Sequence, residues 1–340
     1  MQLNAPGSEA RDAVAQHALA LAQLARRTGR YDGALALLDT ARAAASAKVT
    51  RAQLDSETRA DQAGLTLQLM DADRWVEALQ TIQAENFGSE AKNELAAFLP
   101  RFTSIQAATR FDGSRQTLDA RLTPFPAASP ELEKILNDWL ASARKVPGAD
   151  GTLALDGGAY NLTLSLPAQP LRSTELPAAN ETIFLHELLV PADLKLTHTE
   201  SAFTTDDAFS ARYALVESQQ TAQGKVDEVD RALKALATPA ADESQELVRR
   251  LRVRALEQYR AGWQGLIGGS SARVTWHSPA PGLSTDEQWD LRPGDVQTLE
   301  THRMSYQWWT IVGAAVAAFL VLAAAASLAL LLLRRKTVRA

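Results

Sequence analysis

The sequence predicts a multidomain chain: an all-α N-terminal helical-repeat domain, an α+β membrane-proximal domain with an antiparallel sheet and an inserted helix pair, and a single C-terminal transmembrane helix. Three observations predict it. Apolar and small residues recur at three- and four-residue steps through about 8–145, the period of a helix with one buried face. Apolar residues alternate at period two within 151–216 and return to that pattern after 273, as in half-buried strands. From Ser305 to Leu333 no residue is charged. As a helix, Ile311–Leu333 would be about 35 Å long, enough to cross a hydrocarbon core of roughly 30 Å. The boundaries that follow are 8–145 for the helical domain, 148–303 for the α+β domain with its helix pair at about 222–264, 308–333 for the membrane helix and 334–340 for a short basic tail.

In the first region Ser8 is placed to cap a helix. Ala13, Val14, His17, Ala18, Leu21, Leu24 and Ala25 form its apolar pattern, Arg26 and Arg27 occupy its last turn, and Gly29 ends it. A second helix runs from Tyr31 to Ala45, with Ala34, Leu35, Leu38 and Ala41 on one face. A third runs from about Arg51 to Met70 and leads through Asp71 and Asp73 into Trp75, Ala78 and Ile82. Shorter helices are expected at about 88–99, 114–121 and 130–145, punctuated by Pro100, Pro124, Pro126 and Pro130.

Ala18, Leu21, Ala22, Ala25, Gly29, Tyr31, Ala34, Leu38 and Ala41 resemble one tetratricopeptide repeat. Trp75, Ala78 and Ile82 are similar to Tyr31, Ala34 and Leu38 in a second copy, offset by 44 residues, with Asp73 where the first copy has Gly at the turn. The resemblance covers about 80 residues. It implies stacked antiparallel helix pairs and a surface for a protein partner.

After Pro147-Gly148, Leu153 and Leu155, then Tyr160, Leu162, Leu164 and Leu166, alternate about Asp156-Gly157-Gly158, which predicts a hairpin. Loop is expected at 171–180, and strands at Thr182–Leu189, Leu194–Thr199 and Phe209–Val216. Val226, Val229, Leu233 and Leu236 then return to helical spacing. Thr238-Pro239 interrupts, and Leu247, Leu251, Arg254, Ala255 and Gln258 continue a second helix to about Trp263, so an antiparallel helix pair is expected. Gly268-Gly269-Ser270-Ser271 reads as a flexible break, Arg273–His277 as a strand, 279–282 as a loop, Glu287–Leu291 as a strand and Arg292-Pro293-Gly294-Asp295 as a tight turn. Val296–Met304, extended or loop, enters the anchor. The β-rich body, the inserted helix pair, Val274-Thr275-Trp276, Trp289-Asp290-Leu291 with Gly294-Asp295, and the single C-terminal anchor resemble the LppM-like bacterial envelope domains. That resemblance implies an envelope location and no catalytic mechanism.

Composition narrows the function. The formal net charge is -5, and removing the four basic residues of the tail (Arg334, Arg335, Lys336 and Arg339) leaves -9, which argues against a nucleic-acid partner. Cysteine is absent, so disulfides, thiolate metal sites and cysteine nucleophiles are excluded. Tyr306, Trp308 and Trp309 stand where an interfacial aromatic belt belongs, and membrane lipid is the partner implied for 308–333. The four basic tail residues, against Arg303 and its neighbour Glu300 on the other flank, favour a cytoplasmic C-terminus and a body outside. Met1–Ala10 is polar, so that topology expects an export signal upstream; the alternative is a tail-anchored protein whose body is cytoplasmic.

No catalytic, cofactor or metal motif is found. The histidines His17, His186, His198, His277 and His302 form no His-x-x-x-His pair. His186, His198, Glu187 and Glu200 read as partly exposed strand residues rather than ligands. Asp206-Asp207 and Asp227-Glu228 read as turn and helix-start residues rather than a carboxylate dyad. Function therefore rests on surfaces. The first reading is a non-catalytic protein-binding or scaffolding protein at a cell envelope, with Arg11, Gln16, Gln23 and Arg27 as candidate partner contacts. The alternative is a lipid or small apolar ligand in the α+β domain, with Trp276 and Trp289 lining its groove.

Overall fold

The N-terminal third forms two helical hairpins, α1 (Ser8–Arg27) with α2 (Tyr31–Ala43) and α3 (Arg51–Asp71) with α4 (Trp75–Gln83), followed by α5 (Ser89–Phe98). This computed structural model describes residues 7–44, 49–83, 89–168, 183–278 and 286–337; the predicted loops at 171–180 and 279–282 lie outside them. Gly7, not Ser8, occupies the cap position of α1, and Ser8 is its first helical residue. Both hairpins turn over a left-handed residue. Gly29 has φ 73° and Asp73 has φ 60°, so Asp73 supplies the conformation that glycine supplies in the first hairpin; short polar side chains tolerate it. Gly64 of α3 lies beneath the Tyr31 ring so closely that a Cβ there would sit 2.2 Å from it.

The all-α reading of 8–145 is overturned by β1 (Phe102–Asp112) and β2 (Arg115–Pro124), an antiparallel hairpin that spans the helix expected at 114–121. Its alternation is explicit in the structure: Ile105, Ala107, Thr109 and Phe111 point inward from β1, and Gln116, Leu118, Ala120 and Leu122 from β2. After α6 (Pro130–Ala143), β3 (Asp150–Asp156) and β4 (Ala159–Pro167) form the expected hairpin, turning on Gly157 and Gly158, both at positive φ. Thr182–Leu189, expected as a strand, is instead α7 (Ile183–Leu189). Its Glu187 carboxylate accepts from the backbone amides of Glu217 and Ser218 at 2.9 and 3.3 Å. Those amides are free donors at a helix start, so Glu187 acts as a cap for α8. The strands β5 (Ala192–Glu200) and β6 (Thr204–Ala214) follow, then α8 (Val216–Ala235), α9 (Glu243–Gly269), β7 (Ser271–His277), β8 (Glu287–Leu291), β9 (Val296–Tyr306) and α10 (Trp308–Thr337).

The chain is thus mixed α/β with two sheets, not an all-α domain followed by an α+β domain built on one antiparallel sheet. The larger sheet has the order β3-β4-β2-β1-β7-β8 and is mixed, because β1 and β7 pair in parallel from Gln106↔Ser271 to Asp112↔His277. The smaller is antiparallel, β5-β6-β9. The inner faces of both sheets, with α6 and α7, bury one core that includes Phe102, Phe111, Leu118, Trp139, Tyr160, Phe209, Tyr213 and Trp276.

The helix pair is not confined to the β-rich half. Val229, Leu247, Leu251, Ala255, Leu256 and Tyr259 share a second core with Ala60, Ala63, Met70, Ala78, Leu79 and Ile82. The 27 residues of α9, about 40 Å at 1.5 Å per residue, lie on α3 at one end and against β1 at the other. Gly262 permits the crossing, since a Cβ there would meet Pro100 at 2.6 Å, and the Trp263 indole donates to the Phe98 carbonyl at 2.8 Å. The expected flexible break at 268–271 is absent: α9 runs through Gly269, Ser270 accepts from the Ile105 amide at 3.0 Å through its hydroxyl, and β7 starts at once.

The α8–α9 turn is closed by one ion pair. Arg249 donates twice to the Glu246 carboxylate, at 2.6 and 2.7 Å, and once to the Leu236 carbonyl; the Ala240 amide donates to Glu246 at 2.9 Å. The Arg249 guanidinium and then the Ala240 amide hold the Glu246 carboxyl at about 2, below its ordinary 4.5. A carboxyl lowered in the folded state contributes stability fully above 4.5 and loses it as the pH falls towards 2. Glu246→Gln is therefore expected to melt below the parent at pH 7, with the difference in Tm closing between pH 4.5 and about 2. Thermal melts of both proteins in detergent across that range test it.

Helix α10 has no buried residue between Trp308 and Leu328. A core helix would be covered; this one, 30 residues long, is apolar and bare from Trp308 to Leu328. It is long and apolar enough to span a bilayer.

Candidate binding surface

The face that α1 buries is not the one its largest residues suggest. Ala15, Ala18, Leu19, Ala22 and Arg26 are buried, whereas Val14, Leu21 and Leu24 are 51%, 39% and 57% exposed. Small side chains explain the choice: the alanine face lets α1 approach Ala34, Leu38 and Ala41 of α2 closely, and all of them share one core. The larger apolar residues are left outside. With exposed His17, Val14, Leu21 and Leu24 follow steps of three and four residues and form one stripe along the helix.

The four candidate contacts on α1 do not converge on that stripe. Gln16, Gln23 and Arg27 lie at steps of seven and four residues, on a different side of the helix, and Arg11 falls on neither side. Arg11, Gln16 and Arg27 are exposed. Gln23 is half-buried and donates to Glu57 at 3.0 Å, and Arg27 stands 4.0 Å from Glu243.

Arg26, one residue before Arg27, carries the charge that matters most to this region. Its guanidinium meets Asp61 at 2.5 and 3.1 Å, the Glu57 carboxylate at 2.5 Å and the Ser244 hydroxyl at 2.8 Å. Arg26 is 5% exposed and Asp61 is fully buried. Burial pushes the Asp61 carboxyl above its ordinary range, against the pull of Arg26, and Glu57 and Glu243 push the same way. One cation thus joins α1, α3 and the start of α9, and it fixes the first hairpin to the rest of the body. In the sequence Arg26 reads only as a last-turn basic residue.

Trp276 and Trp289 sit at the join of the two sheets. Trp276 is 2% exposed, and both indoles stack on Phe209, with ring centroids 6.2 and 5.7 Å away. Phe111 approaches Phe209 at 5.1 Å, and the Arg303 guanidinium lies 5.9 Å from the Trp276 ring. One face of each indole is therefore taken up by Phe209, and Trp289 stays half-buried. A shallow cleft of about 420 Å³ remains beside Trp276, walled by Ser114, Thr197, His198 and Asp207. In it His198 Nδ1 is 2.6 Å from Asp207, whose second oxygen accepts from the Ser278 hydroxyl at 2.6 Å. The carboxylate is the middle member, whereas nucleophilic catalysis needs the imidazole between hydroxyl and carboxylate. Buried Asp207 instead ties β5 and β6 to the end of β7. No group of three or more His, Cys, Asp or Glu suited to a metal ion occurs among the described residues. His186 and Glu187 lie on α7, away from any strand ladder; burial lowers the His186 imidazole below its usual range.

No family model, curated protein or solved structure matches this chain.

Proposed function

We propose that this chain is a membrane-tethered, non-catalytic protein-binding module whose partner presents an apolar helix face to α1. The observation that carries the reading is the exposed stripe of Val14, Leu21 and Leu24 on a helix whose opposite face is already packed. The two helical hairpins support the repeat-like resemblance, and in that setting an amphipathic helix docks through residues at three- and four-residue spacing. The basic tail supports a cytoplasmic C-terminus, and with it a body on the far side of a bacterial cell membrane. The α10 span confines the stripe to two dimensions, which raises its effective concentration towards membrane partners. The indole stacking on Phe209 supports a filled core at Trp276 and Trp289 more than an apolar ligand groove.

The experiment places a photoreactive residue at His17 in the full-length protein in its native membrane. A protein adduct is expected. Leu21→Asp with Leu24→Asp should reduce its yield tenfold or more, since each leucine contributes about 1–2 kcal/mol on burial and 1.4 kcal/mol is tenfold. The helical circular dichroism should be unchanged, because both side chains face out. An adduct with lipid alone, or a yield indifferent to the double substitution, would overturn the reading.

A further inference from the structure

The join between the body and the membrane helix contains one residue. β9 ends at Tyr306 and α10 begins at Trp308. Gln307, between them, is held on several sides. Its amide donates to the Phe203 carbonyl at 2.8 Å, and its side-chain nitrogen donates to Glu200 at 2.7 Å. Its own carbonyl accepts from the amides of Thr310 and Ile311, both at 3.0 Å, which starts the helix. Glu200 ends β5 and Phe203 lies in the turn between β5 and β6. The tip of that hairpin is therefore bonded to the residue from which the apolar helix departs.

Five large apolar side chains at this end of the small sheet and the start of α10 are bare. Phe203 is 47% exposed, Met304 55%, Tyr306 56%, Trp308 67% and Trp309 89%, and the rings of Tyr306 and Trp308 lie 6.1 Å apart. The turn keeps its polar groups to itself. The Ser201 hydroxyl accepts from the Thr204 amide at 3.0 Å and pairs with the Thr204 hydroxyl at 2.7 Å, and the Ser201 amide donates to the Thr204 carbonyl at 2.8 Å. With the Phe203 carbonyl given to Gln307, the tip turns Ala202 and Phe203 outward without stranding these backbone groups. That is the condition for approaching hydrocarbon.

We infer that the β5–β6 tip is a second membrane contact: Ala202 and Phe203 enter the lipid headgroup and upper acyl region beside Tyr306, Trp308 and Trp309. The occupant is lipid because this patch is continuous with a helix long and apolar enough to span the bilayer. The charged residue at the tip is Glu200, bonded to Gln307, so the contact requires no anionic headgroup. The body is then set against the membrane at a fixed height and tilt, through two points of the small sheet, instead of hanging on a tether.

The absence of native cysteine makes the test direct. Single cysteines at Ala202, Gln297 and Val316 are labelled with an environment-sensitive fluorophore in the full chain, reconstituted in phosphatidylcholine vesicles carrying a nitroxide high on the acyl chain. Gln297 is exposed and stands nine residues before Tyr306 on β9, about 30 Å away along the strand. Labels at 316 and 202 should both be quenched, the second several-fold more than at 297, and Phe203→Asp should return the 202 signal to the level at 297. Quenching at 316 with 202 no different from 297 would overturn the hairpin contact alone. An unquenched label at 316 would overturn the span, and the hairpin contact with it.

Discussion

Arg26→Met is expected to destabilise the folded chain by about 3–5 kcal/mol, because it leaves Asp61 and the half-buried Glu57 without their shared cation. The penalty is the cost of an unpaired buried carboxylate, not the worth of the ion pair. The double variant Arg26→Met with Asp61→Leu is accordingly expected to regain most of the loss. The pH dependence has a definite sign. Asp61 already holds its proton more tightly than an unfolded aspartate does, and removing Arg26 strengthens that hold. A folded state that binds the extra proton gains stability as the pH falls. The deficit of Arg26→Met should therefore be largest at neutral pH and shrink on acidification. Denaturant unfolding in detergent, followed by helical ellipticity at several pH values, measures both effects. A double variant as unstable as the single one would show that Arg26 acts through packing of its stem and not through its charge.

Phe209→Ala is expected to cost about 3–5 kcal/mol, the range for removing a buried phenylalanine. Phe209 is 1% exposed and lies among Phe111, Trp276 and Trp289, so the truncation also ends aromatic pairings worth about 0.5–1.5 kcal/mol each. It is one of the side chains through which the small sheet meets the large one. Phe209→Leu keeps most of the volume and should lose clearly less. The near-ultraviolet circular dichroism of the tryptophans should fall in the alanine variant, since two indoles lose the surface that orders them. A loss below 1 kcal/mol with unchanged dichroism would mean that the indoles are ordered by other contacts, and would reopen the ligand-groove reading of Trp276 and Trp289.

Helices, turns and the long apolar C-terminal helix are legible in the sequence where one local signal dominates. Gly29 ends α1, Asp156-Gly157-Gly158 turns a hairpin, and the run after Ser305 is apolar on every side. The β1–β2 hairpin is concealed by composition. Ala107, Ala108 and Ala120 are helix formers, and they mask the alternation of Ile105, Thr109 and Phe111 about Asp112-Gly113, a dipeptide that by itself signals a hairpin turn. The same abundance of alanine misdirects the reading of α1. Hydrophobic spacing singles out Val14, Leu21 and Leu24 for the core, but a close helix crossing selects the alanines and turns the leucines out. The cluster of Arg26, Asp61 and Ser244 has no local signature, since its members are up to 218 residues apart. Asp207 and Ser278 meet only because the two sheets are packed together.

The parallel pairing of β1 with β7 has a consequence for synthesis. Gln106 finds Ser271, and Ile105 bonds Ser270, 165 residues later. At about 5–20 residues per second, roughly 10–30 s separate the two strands as they leave the ribosome. Throughout that interval the inner edge of β1 has no partner from its own sheet, and apolar residues such as Phe111 wait for a core that α9 and β7 have yet to complete. An unpaired strand edge invites association with other chains. The nascent protein thus passes through a long exposed phase in which a holding chaperone has a defined place to bind, and a chain released before Ser271 would lack the strand that closes the centre of its sheet.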